Sequence, residues 1–317
     1  MSLSSSEVGE VKERFAVLRE EVSKVIVDMD DVIEMIFIGL LTKGHILLEG
    51  VPGIAKTTLV KTVAKALNLH FSRIQFTPDL LPADIIGSYI YDQRKGEFYF
   101  RKGPIFANIV LADEINRGNP KTQSALLEAM QERQVTVNGK TIKLEEPFIV
   151  IATQNPIEIE GTYPLPAAQL DRFLAKVNVV YPKADVILEV LRRYTNPYGM
   201  DVKPVIGKNE LINMQEYVYK VHIDDSIMNY IVNIIEYSNK IPEVKLGVSP
   251  RGAIALTLAS KAEALINGRD YVIPDDVKKV APHVLNHRIH LNPTAVFEGL
   301  TTTDIINRIL ESVEVPI

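Results

Sequence analysis

The chain has 317 residues, 46% of them hydrophobic, more than one hydrophobic core usually holds, and two domains are expected. Its 35 basic and 40 acidic residues leave a formal net charge of -5, so no overall electrostatic pull toward nucleic acid or anionic lipid is expected. The lack of cysteine excludes a disulfide framework and thiolate metal sites and suits a reducing compartment, with the cytoplasm as the expected location.

Residues 1–11 read as a flexible leader, because Met1-Ser2-Leu3-Ser4-Ser5-Ser6 has no basic segment followed by an apolar one and so is not a signal peptide. Residues 7–43 carry two helical patterns. The apolar run Met35 to Leu41 stops at Thr42-Lys43-Gly44-His45, far short of the roughly 20 residues that span a bilayer. No membrane span is expected. Short apolar runs then alternate with helical patterns: His45 to Leu48, Ile109 to Ala112, Phe148 to Ala152 and Ala175 to Val180. Such runs, bounded by Gly, Pro or charge, predict a parallel sheet between helices, an α/β layer fold. Gln134 to Leu144 alternates around Asn138-Gly139, a strong two-residue hairpin signal, and Ser88 to Arg101 is a second hairpin around Lys95-Gly96. Beyond Tyr181-Pro182-Lys183 helical periodicity dominates, with a cap at Ser249-Pro250 and a stop at Asn267-Gly268. The expected division is therefore 12–183, an α/β nucleotide-binding domain, and 184–317, a smaller all-α domain.

The stretch Gly50-Val51-Pro52-Gly53-Ile54-Ala55-Lys56-Thr57-Thr58 nearly spells the phosphate-cradling loop G-x-x-x-x-G-K-[ST], with Ala55 in place of glycine. It follows an expected strand and precedes an expected helix, so its backbone N–H groups and the positive helix end would hold phosphates. Lys56 would reach the β- and γ-phosphates, and the Thr57 hydroxyl would ligate Mg²⁺. Gly50 and Gly53 would permit the tight turns. Ala55 would fit only at negative φ, as expected where the chain enters a helix. Hydrolysis would further need one carboxylate for the metal and one to activate water, and Asp113 and Glu114, at the end of the run Ile109 to Ala112, supply that pair in this order. Asn155, after the run Phe148 to Ala152, stands at the sheet edge where α/β proteins bind ligands and could orient water or sense the γ-phosphate.

Together with Asp113-Glu114-Ile115-Asn116-Arg117, Ala152-Thr153-Gln154-Asn155-Pro156, Ala168-Gln169-Leu170-Asp171-Arg172-Phe173 and Ser249-Pro250-Arg251, this loop resembles the MoxR family of AAA+ ATPases, over residue 12 to the end. Alanine before the loop lysine is typical of that family. The resemblance implies a P-loop core followed by a lid, with ATP and Mg²⁺ as cofactors. It implies that Lys56 and Thr57 belong to Walker A, Asp113 and Glu114 to Walker B and Asn155 to sensor 1, with Arg172 as arginine finger and Arg251 as sensor 2. The hairpin from Ser88 would be the helix-2 insert, and that from Gln134 the hairpin before sensor 1. It further implies a ring, a hexamer, doing chaperone-like work on a protein client, often beside a partner with a von Willebrand factor type A domain. The sequence departs from the family near the adenine site, where Val27 is followed by Asp28-Met29.

A guanidinium supplied by a neighbour stabilises phosphoryl charge in the transition state, which is the role the resemblance implies for Arg172, and Arg251 would contact the γ-phosphate in cis. Arg117 is a weaker candidate for the trans role. His283, His287 and His290 share a helical face but lack a fourth zinc ligand. Aromatic residues Tyr89, Tyr91, Phe98, Tyr99 and Phe100 among Arg94, Lys95, Arg101 and Lys102 could stack on bases, though in a hairpin they more simply pack one face. A nucleic-acid motor is the alternative because the alanine loop and both hairpins also resemble those of replicative helicases, and the acidic balance argues against it. A small-molecule P-loop kinase would need neither arginine. A GTPase would need a base-reading Asn-Lys-x-Asp, which Asn239-Lys240-Ile241-Pro242 does not supply.

Overall fold

A computed structural model describes residues 3–157, 161–195 and 200–316. Helix α1 (Ser5–Ser23) begins inside the stretch expected to be a leader. The Ser4 hydroxyl accepts the Glu7 N–H at 3.2 Å while the Glu7 carboxylate accepts the Ser4 N–H at 2.7 Å, a reciprocal cap that fixes the helix start. Val8, Val11, Phe15, Leu18 and Val22 recur at helical spacing and are buried, as is Leu3. From Leu3 onward, then, this stretch is part of the fold, which corrects the leader reading.

The chain continues through α2 (Asp30–Leu41), β1 (Ile46–Glu49), α3 (Lys56–Ala66), β2 (Phe71–Gln75) and α4 (Pro82–Ile86). A hairpin of β3 (Gly87–Asp92) and β4 (Glu97–Lys102) leads to β5 (Ile109–Asp113) and α5 (Pro120–Glu132). A second hairpin, β6 (Gln134–Val137) with β7 (Lys140–Lys143), leads to β8 (Ile149–Gln154), α6 (Ala167–Leu170) and β9 (Ala175–Asn178). Asn138 and Gly139, at φ 49° and 75°, make the tight left-handed turn that their sequence requires. Five strands form one sheet in the order β2-β5-β8-β1-β9, every pairing parallel. Both faces are covered, and the period of two along each strand sorts the side chains. Leu48, Ile109, Leu111, Ile149 and Ile151 pack with α1, α2 and α3, whereas Leu47, Val110, Ala112, Val150 and Ala152 pack with α5.

Strand β2 was not expected from the sequence. Phe71-Ser72-Arg73-Ile74-Gln75 has no continuous apolar run, because on this edge strand only Ile74 is buried. Its polar side, Arg73 and Gln75, turns out to matter for the site.

The remaining elements are α7 (Ala184–Thr195), α8 (Lys208–Lys220), α9 (Asp225–Ser238), β10 (Val244–Leu246), α10 (Pro250–Ile266), α11 (Pro274–Leu285), β11 (His290–Leu291), α12 (Pro293–Phe297) and α13 (Thr302–Ser312). They form the expected helical lid, apart from a short antiparallel ribbon of β10 with β11. The lid is held from behind the sheet. One apolar cluster runs from α1, α2 and α3 through the sheet into α8, α9, α10, α11 and α13. Gln215 donates to the Leu40 carbonyl at 2.7 Å, and Lys279 bridges Glu34 of α2 and Glu263 of α10, the latter at 2.7 Å. Among the described residues no helix is long and apolar enough to cross a membrane.

Candidate active site

The loop between β1 and α3 is real, but two of its residues act differently from expectation. Gly53 sits at φ 84°, a turn that glycine makes without strain. Gly50 does not have positive φ; a Cβ there would come within 2.5 Å of the Val179 carbonyl oxygen, so close approach, not turning, requires glycine. Ala55 adopts φ 60°, ψ 20°, which overturns the expectation of negative φ. It is the residue just outside α3, where the chain reverses into the helix, and its carbonyl accepts the Leu59 N–H at 2.9 Å. Left-handed alanine costs about 1–2 kcal/mol, which the surrounding loop and helix must offset.

Pro52 to Thr58 line a cleft of about 630 Å³ together with Arg73, Asp113, Glu114, Thr153, Gln154, Asn155 and, from α7, Val190, Leu191 and Tyr194. Gly50 and Val51, the first two residues of the loop, do not line it. The Lys56 ammonium donates to the Gly50 carbonyl, and burial lowers its pKa against the opposing pull of Asp113, Glu114 and Glu49. A lysine so placed gains from an anion in the cleft.

The acidic pair stands at the end of β5, and each carboxylate is held by several groups. Asp113 Oδ1 accepts the Thr153 hydroxyl at 2.6 Å, and the Thr153 oxygen in turn accepts the Glu114 N–H at 2.9 Å. Asp113 Oδ2 accepts Arg73 Nε at 3.0 Å and Nη2 at 2.7 Å and faces the Thr57 hydroxyl at 3.4 Å. Glu114, itself at φ 55°, has its Oε2 held by Gln75 Nε2 at 2.7 Å and by Arg117 at 3.2 Å. Arg117 thus binds a carboxylate of its own chain, and the trans role entertained for it is not supported. Asn155 is buried, with its Oδ1 accepting the Ile157 N–H at 3.2 Å. Thr153 lies within the stretch Ala152 to Pro156 but was given no role there, and Arg73 and Gln75 were missed because they lie on the unrecognised strand.

Arg172 and Arg251 do not line this cleft. They share a separate cavity with His45, Arg133, Asp171, Ile254 and Arg288. This corrects the reading of Arg251 as a cis contact to the γ-phosphate: the lid docks behind the sheet and carries the start of α10 to the Arg172 side. A bond of 3.1 Å from the Ser249 hydroxyl to Asp171 Oδ2 ties the two arginine-bearing segments together. Arg288, only 5% exposed, fastens them further: Nε to Asp171 Oδ1 at 2.7 Å, Nη2 to the Phe173 carbonyl at 2.7 Å, Nη1 to the Leu174 carbonyl at 3.0 Å. Among the described residues neither the Arg172 nor the Arg251 side chain makes a hydrogen bond or ion pair, although the Arg172 backbone N–H donates to the Gln169 carbonyl at 3.2 Å.

A hard-oxygen pair, Thr57 Oγ1 and Asp113 Oδ2, beside a phosphate loop suits Mg²⁺, which needs few protein ligands when phosphates and waters complete its shell. Among the described residues no cluster of three His, Cys, Asp or Glu side chains could hold a metal. The three histidines are dispersed accordingly: His283 meets Asp31 at 3.2 Å, and His287 Nε2 bonds the Phe173 carbonyl at 3.1 Å.

A strand-loop-helix phosphate site, an acidic pair at the next strand but one and a helical lid define an AAA+ P-loop protein. Residues 45–175 match the ATPase family associated with various cellular activities (AAA), and residues 238–309 match the AAA lid domain. The chain is 52% identical to the uncharacterized protein YeaC of Bacillus subtilis, over 94% of this chain and 93% of that one. It is 46% identical to Chaperone MoxR1 of Mycobacterium tuberculosis, over 93% and 81%. A crystal structure of a protein from Cytophaga hutchinsonii superposes with TM-score 0.92 at 45% identity, covering 98% of each chain. The chain belongs to the MoxR family of AAA+ ATPases.

Proposed function

We propose that the protein is an Mg²⁺-dependent ATP hydrolase that works as a ring, six-membered by family resemblance, and remodels a protein client in the cytoplasm. The observation that carries this reading is the division of the hydrolytic groups. Lys56, Thr57, Asp113, Glu114 and Asn155 line one cleft, while Arg172 and Arg251 line another cavity. Two halves that stand apart within one chain can meet between copies.

The loop N–H groups and Lys56 bind the phosphates. The nucleoside end lies against the apolar wall of Val190, Leu191 and Tyr194, which supplies an adenine contact where Asp28-Met29 departs from the family. Thr57 and Asp113 would hold Mg²⁺, which when bound neutralises the phosphate charge. Glu114 accepts a proton from the attacking water through Oε1, since Gln75 and Arg117 hold Oε2. Asn155 orients that water. Arg172 and Arg251 of an adjoining copy stabilise the charge that develops on the phosphoryl oxygens.

Client remodelling is supported by the name of the relative Chaperone MoxR1, and an associated von Willebrand factor type A partner belongs to the same reading. Nothing in the site favours the nucleic-acid alternative. The test is turnover per subunit against protein concentration. ATP hydrolysis that rises with self-association, with Glu114→Gln retaining ATP and losing turnover, is expected. Turnover independent of concentration would refute the shared site.

A further inference from the structure

The only cationic side chains lining the cleft, among the described residues, are Lys56 and Arg73. Arg73 comes from the edge strand β2 and reaches across to the end of β5, where two of its nitrogens engage a single oxygen, Asp113 Oδ2. That oxygen is the one facing the Thr57 hydroxyl. A guanidinium therefore sits on the atom best placed to serve a metal ion. Arg73 is not locked in: its side chain is 47% exposed, and among the described residues Nη1 has no hydrogen-bond partner. Its Nη2 is shared with Gln75 Oε1 at 2.6 Å.

We propose that Arg73 is a second cis cation of the nucleotide site, exchanging between Asp113 and the terminal phosphate and competing with Mg²⁺ for Asp113 Oδ2. The inference rests on the nucleotide reading above. A fork of donors can move from a carboxylate to a phosphate because both present paired acceptor oxygens, which a lysine matches less well. Two cations cannot both neutralise one carboxylate oxygen at contact without repelling each other. Arg73 thus strengthens the hold on metal-free nucleotide and weakens the hold on Mg²⁺. The structure places this role in β2 rather than in the lid, whose Arg251 lies outside the cleft.

The test is binding of a fluorescent ATP analogue to the full chain, titrated with Mg²⁺ from none to excess. For Arg73→Ala, metal-free affinity should fall about tenfold, and the Mg²⁺ concentration at half-maximal effect should fall by a similar factor, the size of one charge-assisted hydrogen bond. Arg73→Lys should recover part of the metal-free affinity. Arg73→Gln, which keeps a donor for Asp113 without the charge, should show the same Mg²⁺ shift as the alanine variant and serves if that variant melts early. A merely structural role would lower the melting temperature and leave the Mg²⁺ midpoint where it was. If wild type binds the analogue and the variant curves overlay it at every Mg²⁺ concentration, the proposal is wrong. If wild type itself binds no nucleotide, the ATPase reading fails first.

Discussion

Replacing Arg288 should show whether the arginine pair is assembled by the lid. This side chain is buried and donates to Asp171 Oδ1 at 2.7 Å, to the Phe173 and Leu174 carbonyls at 2.7 and 3.0 Å, and also to the Val284 carbonyl. Arg288→Ala strands at least two buried carbonyls and a carboxylate that is three-quarters covered, with a side-chain exposure of 25%. An unsatisfied buried acceptor costs about 1–3 kcal/mol, and breaking one partner out of a buried ion pair about 3–5 kcal/mol. Asp171 can reach some water, so the lower end, about 3 kcal/mol, is expected for the whole. For a chain of this size that lowers the melting temperature by roughly 5–10 °C. Arg288→Lys should recover little, since an ammonium cannot serve a carboxylate and several carbonyls in one plane.

The functional consequence separates this from ordinary destabilisation. Asp171 precedes Arg172 and also accepts the Ser249 hydroxyl next to the helix that bears Arg251. With Arg288 gone, both arginines lose their frame while the P-loop cleft keeps every group that lines it. At a temperature where the variant stays folded, calorimetry should find ATP affinity within about twofold of wild type, and turnover reduced by at least about tenfold, below the full loss expected without an arginine finger. A variant with wild-type turnover and unchanged melting would refute the claim that Arg288 sets the pair. Affinity and turnover falling together would instead place the arginines in their own chain's cleft.

Arg172→Ala should retain ATP binding and lose roughly 10³-fold in turnover, and mixing it with a Lys56→Ala variant should restore part of the activity, because some interfaces then combine an intact loop with an intact arginine. Failure of the mixture to exceed either variant alone would count against a trans role. Ala55→Val should abolish nucleotide binding measured by calorimetry, since a β-branched side chain at φ 60° is strained where alanine is only uncomfortable. Acid should destabilise the fold through His45. Burial lowers this imidazole to about 3, and its nitrogens are committed to the Met130 carbonyl at 3.0 Å and the Val150 N–H at 2.9 Å. The unfolded chain binds that proton near pH 6.5 and the folded one does not, so stability is full above about 6.5 and falls by up to about 1.4 kcal/mol per pH unit as pH drops toward 3. His287, also held far below its ordinary value by burial, adds to the slope. Denaturant midpoints measured from pH 7 to 4 would decide it, and His45→Gln should flatten the profile.

The parts of this molecule that were legible in the sequence are those whose signal is local. Asn138-Gly139 dictates its own turn, the four apolar runs dictate buried strands, and the spacing from Gly50 to Thr57 dictates a phosphate loop because backbone geometry ties those residues together. What was not legible depends on which surfaces meet. Phe71 to Gln75 carries no strand pattern because it lies at the sheet edge and shows one face to the cleft. Its polar residues are there to hold the carboxylates of β5, a reason that exists only once β2 and β5 are adjacent. Ser249-Pro250-Arg251 identified a helix start correctly, yet the cleft it serves follows from where the lid rests, and the lid rests where α1 and α2 offer apolar surface. The first of those helices starts at Ser5, inside the stretch 1–11 expected to be a leader. The expectation of a cis contact from Arg251 follows from the resemblance, whereas the packing of α1 and α2 against α10 carries that arginine to the cavity it shares with Arg172. On the shared-site proposal, the capping of α1 at Ser4 and the placing of Arg251 beside Arg172 are linked through one packing interface. A chain lacking residues 1–11 should accordingly lose turnover while calorimetry still finds ATP binding, and equal loss of both would count against this link.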